Sequence, residues 1–136
     1  KAKQKISAQN VKFVQADINR EWRFTNDNTY DLATFSLVLE HIDNLDVIFQ
    51  RLKEVISSNG IIYIGELHPF KQYNGSKARF ETNNGIQIVP CFNHHISDFV
   101  NAAKKYDFQL IDINEYFDDD NKDSMPRILA LIFKKN

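Results

Sequence analysis

The sequence is poor in the residues that mark several classes of protein. It has one cysteine, Cys91, in 136 residues, so it can form no internal disulfide and offers no cysteine and histidine spacing suited to zinc. Its 17 basic and 18 acidic residues leave a net charge of −1, without the positive field of a nucleic-acid-binding surface. No apolar run approaches the roughly 18 residues of a membrane span. These absences favour small-molecule chemistry in a cytoplasmic protein, without metal, nucleic acid or membrane.

Glycine is also scarce, with only four in the chain. The glycines are Gly60, Gly65, Gly75 and Gly85. This spacing does not fit the G-x-G-x-x-G loop of a nicotinamide-dependent Rossmann enzyme, which makes that class a weak alternative. The length and the 43% hydrophobic content suit one hydrophobic core, so residues 1–136 are predicted to form a single domain.

Alternating strand and helix patterns predict an α/β fold. Strands are predicted at residues 11–16, 30–35, 61–67, 108–117 and 127–135, and helices at residues 44–57 and from Ser97 to near Asp107. The strand at residues 61–67 is apolar without strict alternation, as expected between helices. Asp43 is the predicted cap of the first helix, and the last two strands are expected to form an antiparallel hairpin.

The regular pattern breaks at residues 68–96. Asn84 and Gly85 stand between two alternating segments there, which predicts a tight hairpin turn. Because this irregular segment follows a buried strand, we predict that residues 68–96 form a mobile lid over a substrate.

The ordered pieces "VKFVQADI", "YDLATFSLVLEHI", "LKEVISSNGIIYIGELHP" and "FQLIDINEYF" followed by "MPRILALIFKK" together resemble the second half of the class I S-adenosylmethionine-dependent methyltransferases. The resemblance is strongest to the small-molecule branch that includes the ubiquinone and menaquinone methyltransferases. It implies a Rossmann-like three-layer sheet, mostly parallel with a C-terminal antiparallel hairpin, and S-adenosylmethionine as the cofactor. Two departures from the family pattern are "SSNG" in place of Pro-Gly-Gly and Asp107 in place of glycine. Asn and Asp both tolerate the left-handed conformation.

The resemblance also implies the cofactor-binding residues. Asp17 matches the acidic residue that accepts a hydrogen bond from the adenine amino group, and Ile18 matches its neighbour against the ring. Phe35 and Ser36 lie at the carboxyl end of a parallel strand, where ligands bind in open α/β sheets, and are predicted walls of the cofactor pocket. Two alternatives stay open: Asp17 caps the next turn, and Ser36 is an ordinary loop hydroxyl.

Two histidines and three aromatic residues are candidates for the acceptor side. His41 and His68 are the predicted catalytic groups, since histidine exchanges protons near neutral pH, although a histidine in the position of His41 more often packs where loop meets helix. Tyr73, Phe80 and Phe92 are predicted to shape an aromatic pocket, with a core role as the alternative. Glu40, beside His41, is expected to be solvated.

The family's glycine-rich loop and its ribose-binding acidic residue have no counterpart in the chain, which also begins at Lys1. We therefore expect a C-terminal portion of a longer methyltransferase, acting by in-line displacement on a small-molecule acceptor. The strand at residues 11–16 should be displaced, exchanged between chains or paired in a non-family order, and exposed strand edges favour a homodimer. The alternative is an interaction domain that keeps the methyltransferase architecture without binding the cofactor.

Overall fold

The structure is a computed structural model that describes residues 2–6, 8–26, 29–75, 79–82 and 85–136. Its helices and strands, in chain order, are α1 (Ala2–Lys5), β1 (Tyr30–Ser36), α2 (Leu45–Val55), β2 (Ile56–Leu67), α3 (Pro69–Tyr73), β3 (Arg79–Thr82), β4 (Gly85–Ile88), α4 (Ile96–Lys105), β5 (Phe108–Tyr116) and β6 (Ile128–Lys135). None of the helices in these ranges is long and apolar enough to cross a membrane.

The main sheet has the strand order β1-β2-β6-β5. Strands β1 and β2 are parallel, whereas β6 runs antiparallel to both β2 and β5. The predicted α/β class and the C-terminal antiparallel hairpin are thus confirmed. In the part of the chain described the sheet is mixed, because it contains one parallel pair and two antiparallel pairs. Strands β3 and β4 form a separate antiparallel hairpin.

The strand predicted at residues 11–16 is wrong for this structure. Residues 11–17 have no regular structure and lie outside both sheets, and Val11 and Val14 remain 42% and 50% exposed. A strand forms only where a neighbour satisfies its backbone N–H and C=O groups, and among the described strands β1 pairs with β2 alone. The observation agrees with the expected displacement of this segment.

The hydrophobic core lies between the main sheet and one layer of helices. Ile48, Phe49 and Leu52 recur at helical spacing on α2 and are fully buried. The Phe49 ring meets that of Phe133 on β6 edge to face at 5.8 Å, a favoured aromatic geometry. Helix α4 packs beside α2 and adds Phe99 to the same core.

The ends of the helices differ from the predictions in detail. Helix α2 is capped by Asn44, whose Oδ1 accepts a 3.0 Å hydrogen bond from the Asp46 backbone N–H, and not by Asp43. At α4 the carboxylate of Asp98 accepts a 2.8 Å hydrogen bond from the His95 backbone N–H, so the N-cap is His95 and the expected cap at Ser97 is wrong. Asp107 does adopt the left-handed conformation, with φ of 67°, as predicted.

Candidate functional site

The carboxyl end of β1 carries a strained turn that the sequence does not reveal. Ser36, the last residue of β1, is exposed and lies opposite Gly65 on the parallel neighbour β2. Leu37 follows with φ of 52°, a left-handed conformation that bulky side chains rarely adopt, and is 48% exposed. Its N–H donates a 2.9 Å hydrogen bond to the Gly65 carbonyl. Strain of this kind persists where the surroundings enforce it and is typical of functional sites.

A buried carboxylate enforces this turn. Glu66, near the end of β2, is 2% exposed, and its Oε1 accepts hydrogen bonds from the backbone N–H groups of Val38 and Leu39 at 3.0 and 2.9 Å. Its Oε2 accepts a third, from the Glu40 N–H, at 3.3 Å. Burial raises the pKa of the Glu66 carboxyl, and these three bonds oppose the rise. The carboxylate thus ties three consecutive amides of the turn to the central strand.

Glu40 is buried, so the expectation that it is solvated is wrong. It is 6% exposed, and its carboxylate accepts a 3.4 Å hydrogen bond from Gln72 Nε2 on α3. Its backbone carbonyl accepts a 2.7 Å hydrogen bond from the Phe92 N–H. The contacts with α3 and with residues 89–95 remove Glu40 from water. Because these partners are distant in sequence, the residues around Glu40 do not predict its burial.

Residues 89–95, here called the strap, lie across the short 3-10 turn Leu39–His41. Besides the Phe92 bond, His41 Nδ1 lies 2.9 Å from the Pro90 carbonyl oxygen, and the buried His94 places Nε2 2.7 Å from the Ile42 carbonyl oxygen. The strap therefore joins the segment after the β3-β4 hairpin to the segment after β1.

His41 keeps one ring nitrogen available. Because a carbonyl oxygen only accepts, the contact with Pro90 assigns the proton of the neutral ring to Nδ1 and leaves a lone pair on Nε2. The side chain is 32% exposed, and Nε2 lies 3.7 Å from Glu40 Oε1. A proton taken up at Nε2 would therefore face a carboxylate, an arrangement suited to a general base.

His68 is fully buried, with 0% exposure. Its Nδ1 accepts a 3.2 Å hydrogen bond from the Phe70 N–H and caps α3, while Nε2 lies 2.9 Å from Glu115 Oε1 on β5. Both nitrogens are thus engaged within the fold, which is the geometry of a structural group. The expected position of His68 at an open substrate edge has no support in this structure.

The three aromatic candidates for the acceptor pocket lie in different parts of the structure. Tyr73 is 47% exposed; its hydroxyl is hydrogen-bonded to His95 Nδ1, and its ring centroid lies 6.5 Å from that of Phe70. Phe70, Tyr73 and His95 thus form one exposed row, of which the sequence indicated only Tyr73. Phe92 is 36% exposed on the strap, and the side chain of Phe80 lies outside the described residues.

The four cofactor-side candidates are not brought to one place. Ile18 and the core residue Phe35 line an apolar cavity of ≈250 Å³ beside β1, of which Asp17 and Ser36 are not part. Asp17 caps its own turn: Oδ1 accepts a 3.0 Å hydrogen bond from the Asn19 N–H, and Oδ2 lies 3.3 Å from the Arg20 side chain. The capping alternative for Asp17 is therefore realised, and its side chain remains 53% exposed.

Comparisons with known proteins agree on one family of folds. A family model described as a methyltransferase domain matches residues 1–64. The structure of an S-adenosylmethionine-dependent methyltransferase of Listeria monocytogenes superposes with a TM-score of 0.79 at 17% identity, over 99% of this chain and 74% of that one. A second such structure, from Mesorhizobium loti, gives 0.72 at 13% identity over 98% and 74%. This chain has the class I S-adenosylmethionine-dependent methyltransferase fold. The predicted family, enzyme class and cofactor agree with these comparisons.

A curated relative gives a similar result. The chain is 23% identical over 122 residues to the mitochondrial ubiquinone biosynthesis O-methyltransferase of Dictyostelium discoideum, a match that covers 89% of the chain and 35% of that protein. This chain thus spans about a third of the length of this relative, and the activity, acceptor and partners of the whole protein are proposals.

Proposed function

We propose that the protein containing this methyltransferase chain transfers a methyl group from S-adenosylmethionine to a small-molecule acceptor. The observation that carries the proposal is the strained Ser36 and Leu37 turn. It stands at the carboxyl end of a parallel strand, where α/β sheets bind ligands, and it is held by a dedicated buried carboxylate. Such preorganisation suits methyl transfer, whose rate depends on the alignment of the acceptor with the methyl group.

Four residues would hold the cofactor. The exposed carboxylate of Asp17 can accept a hydrogen bond from the exocyclic amine of the adenine in place of its bond from the Asn19 N–H. Ile18 offers an apolar side chain next to the adenine ring. The exposed Ser36 is assigned to the methionine portion, with Phe35 supporting it from the core. The bound cofactor supplies a methyl group on a sulfonium, which is already activated for in-line displacement. These side chains therefore need only to bind, orient and exclude water.

On the acceptor side, His41 is the proposed base, because Nε2 is free to take a proton beside Glu40. The exposed row of Phe70, Tyr73 and His95 offers an aromatic face for the acceptor, with Phe92 on the strap. Residues 68–96, which include α3, the hairpin and the strap, remain the proposed lid.

Calorimetric titration of the whole protein with S-adenosylmethionine and S-adenosylhomocysteine tests the proposal. Saturable binding of both is expected, and binding of neither would contradict it. That outcome would favour a non-catalytic interaction domain, a reading supported by the engagement of Asp17 in its own turn.

The role of His41 has a separate test by His41→Gln. Methyl transfer should fall by roughly 10²-fold or more, the usual contribution of a general base, with unchanged cofactor affinity. Lys104→Gln, an exposed change on α4, is the control. Equal turnover in the two variants would remove His41 from the mechanism.

A further inference from the structure

Glu66 has a partner set unlike that of any other acidic side chain in the described residues. It is almost wholly buried, yet its hydrogen bonds go to three consecutive backbone amides about 26 to 28 positions earlier in the chain. Both oxygens accept, so the group is used as a carboxylate. Opposite it on β6 lies the apolar Leu129, and the charged group acting on it is Glu40. A salt bridge therefore does not explain this buried acid.

The three amides belong to the turn that orders the proposed site. They follow Leu37 directly, so fixing them fixes the direction in which the chain leaves β1. The bond from the Leu37 N–H to the Gly65 carbonyl anchors the same turn one residue earlier. Four successive N–H groups, from Leu37 to Glu40, are thus held by two neighbouring residues of β2, Gly65 and Glu66.

The constraint extends to the acceptor side through Glu40. Its backbone N–H donates a hydrogen bond to Glu66. Its backbone carbonyl accepts one from the Phe92 N–H on the strap, and its carboxylate accepts one from the Gln72 side chain on α3. Release of the amide by Glu66 would therefore loosen the point where the β1 turn, the strap and α3 meet.

Direct chemistry by Glu66 does not fit this geometry. Its side chain has almost no exposed surface, and each oxygen already accepts a hydrogen bond from the turn. Contact with a reacting group would require the turn itself to open.

We propose that Glu66 is a positioning residue of the methyltransferase site: its carboxylate holds the amides of residues 38–40, keeps Leu37 left-handed, and so presents Ser36 to the methionine portion of the cofactor. The inference rests on the proposed function for its catalytic consequence. The restraint of the turn can be tested independently of any activity.

The first experiment measures amide hydrogen exchange in the whole protein and in Glu66→Gln. A glutamine offers one acceptor oxygen and turns an N–H₂ donor toward amides that also donate. Exchange at Val38, Leu39 and Glu40 is expected to accelerate by about tenfold or more, the scale of one lost hydrogen bond to a charged group. Exchange at Ile62 and Ile64 on β2 should stay as in the wild type. Unchanged protection at residues 38–40 would overturn the proposal, whatever the activity of the protein.

The second experiment separates positioning from general destabilisation by steady-state kinetics. Glu66→Gln should raise KM for S-adenosylmethionine by about tenfold or more, with a smaller change in kcat, and Glu66→Asp should recover part of this loss because it restores a carboxylate. Glu54→Gln, an exposed change on α2, is the matched control. Loosened amides with unchanged KM would overturn the role in cofactor presentation. If the wild type itself bound no cofactor, the proposed function would fail, and the exchange result would still decide whether Glu66 holds the turn.

If Glu66→Gln does not fold, Glu66→Asp takes its place in both experiments. Its shorter side chain cannot reach all three amides in the same geometry, so faster exchange confined to residues 38–40 supports the proposal. Wild-type exchange there in the folded aspartate variant, together with an unchanged KM, overturns it.

Discussion

Replacement of Asp17 by alanine in the whole protein tests the adenine assignment most directly. The carboxylate is 53% exposed, and its contacts within the chain are the local bonds to Asn19 and Arg20. Loss of these exposed local bonds should lower the free energy of unfolding by at most about 1 kcal/mol, the net contribution of one hydrogen bond. If the carboxylate accepts from the adenine amine, the lost hydrogen bond should weaken cofactor binding by roughly 1 to 2 kcal/mol, which is about a 5- to 30-fold increase in Kd.

The assay is calorimetric titration of S-adenosylmethionine into each variant, with urea unfolding to measure stability. Asp17→Asn keeps one acceptor oxygen and should lose less affinity than the alanine variant. Asp43→Ala, another exposed aspartate, should bind as the wild type does. An unchanged Kd for Asp17→Ala at unchanged stability would refute the adenine role and leave Asp17 as the cap of its own turn.

Three further predictions concern stability. Phe49→Ala should lower the free energy of unfolding by about 3–5 kcal/mol, because Phe49 is fully buried against Phe133 and Phe108; a loss below about 1 kcal/mol in urea unfolding would contradict this packing. Leu37→Gly should raise the same free energy by about 1 kcal/mol through relief of the left-handed backbone, whereas a loss would mean that the strain is absent. The pKa of Glu66 is raised from about 4.5 by burial, so ionising this carboxyl is harder in the folded than in the unfolded chain, and the folded state loses stability as the pH rises from 4.5 through the raised value. The free energy of unfolding of Glu66→Gln relative to that of the wild type should therefore increase with pH over that interval. A decrease with pH would contradict a raised pKa for Glu66.

Local pattern was sufficient for much of the fold. The apolar spacing of Ile48, Phe49 and Leu52 predicted α2 to within two residues at each end, and the apolar run at residues 61–67 lies within β2. The left-handed Asp107 and the C-terminal hairpin were also predictable. Each of these features depends on neighbours in sequence or on a hydrophobic period, both of which a single chain displays.

The strand predicted at residues 11–16 failed for a different reason. Its short apolar pattern suits a strand, but a strand forms only when it is hydrogen-bonded to a neighbouring strand, and the described sheet offers this segment no such neighbour. A local pattern records the propensity of a segment and not the presence of its partner.

The sequence by itself indicated the α/β fold class, through the order of its strands and helices, and the methyltransferase fold, through their resemblance to that family. The tertiary structure alone decided how the end of β1 is built. From the sequence Glu40 was expected to be solvated, Glu66 was not singled out within its apolar strand, and Leu37 looks like any leucine. Contacts across 26 to 32 residues bury the two carboxylates and hold the leucine left-handed. Burial and backbone strain depend on contacts with residues distant in the sequence, and the type and spacing of neighbouring residues do not reveal those contacts.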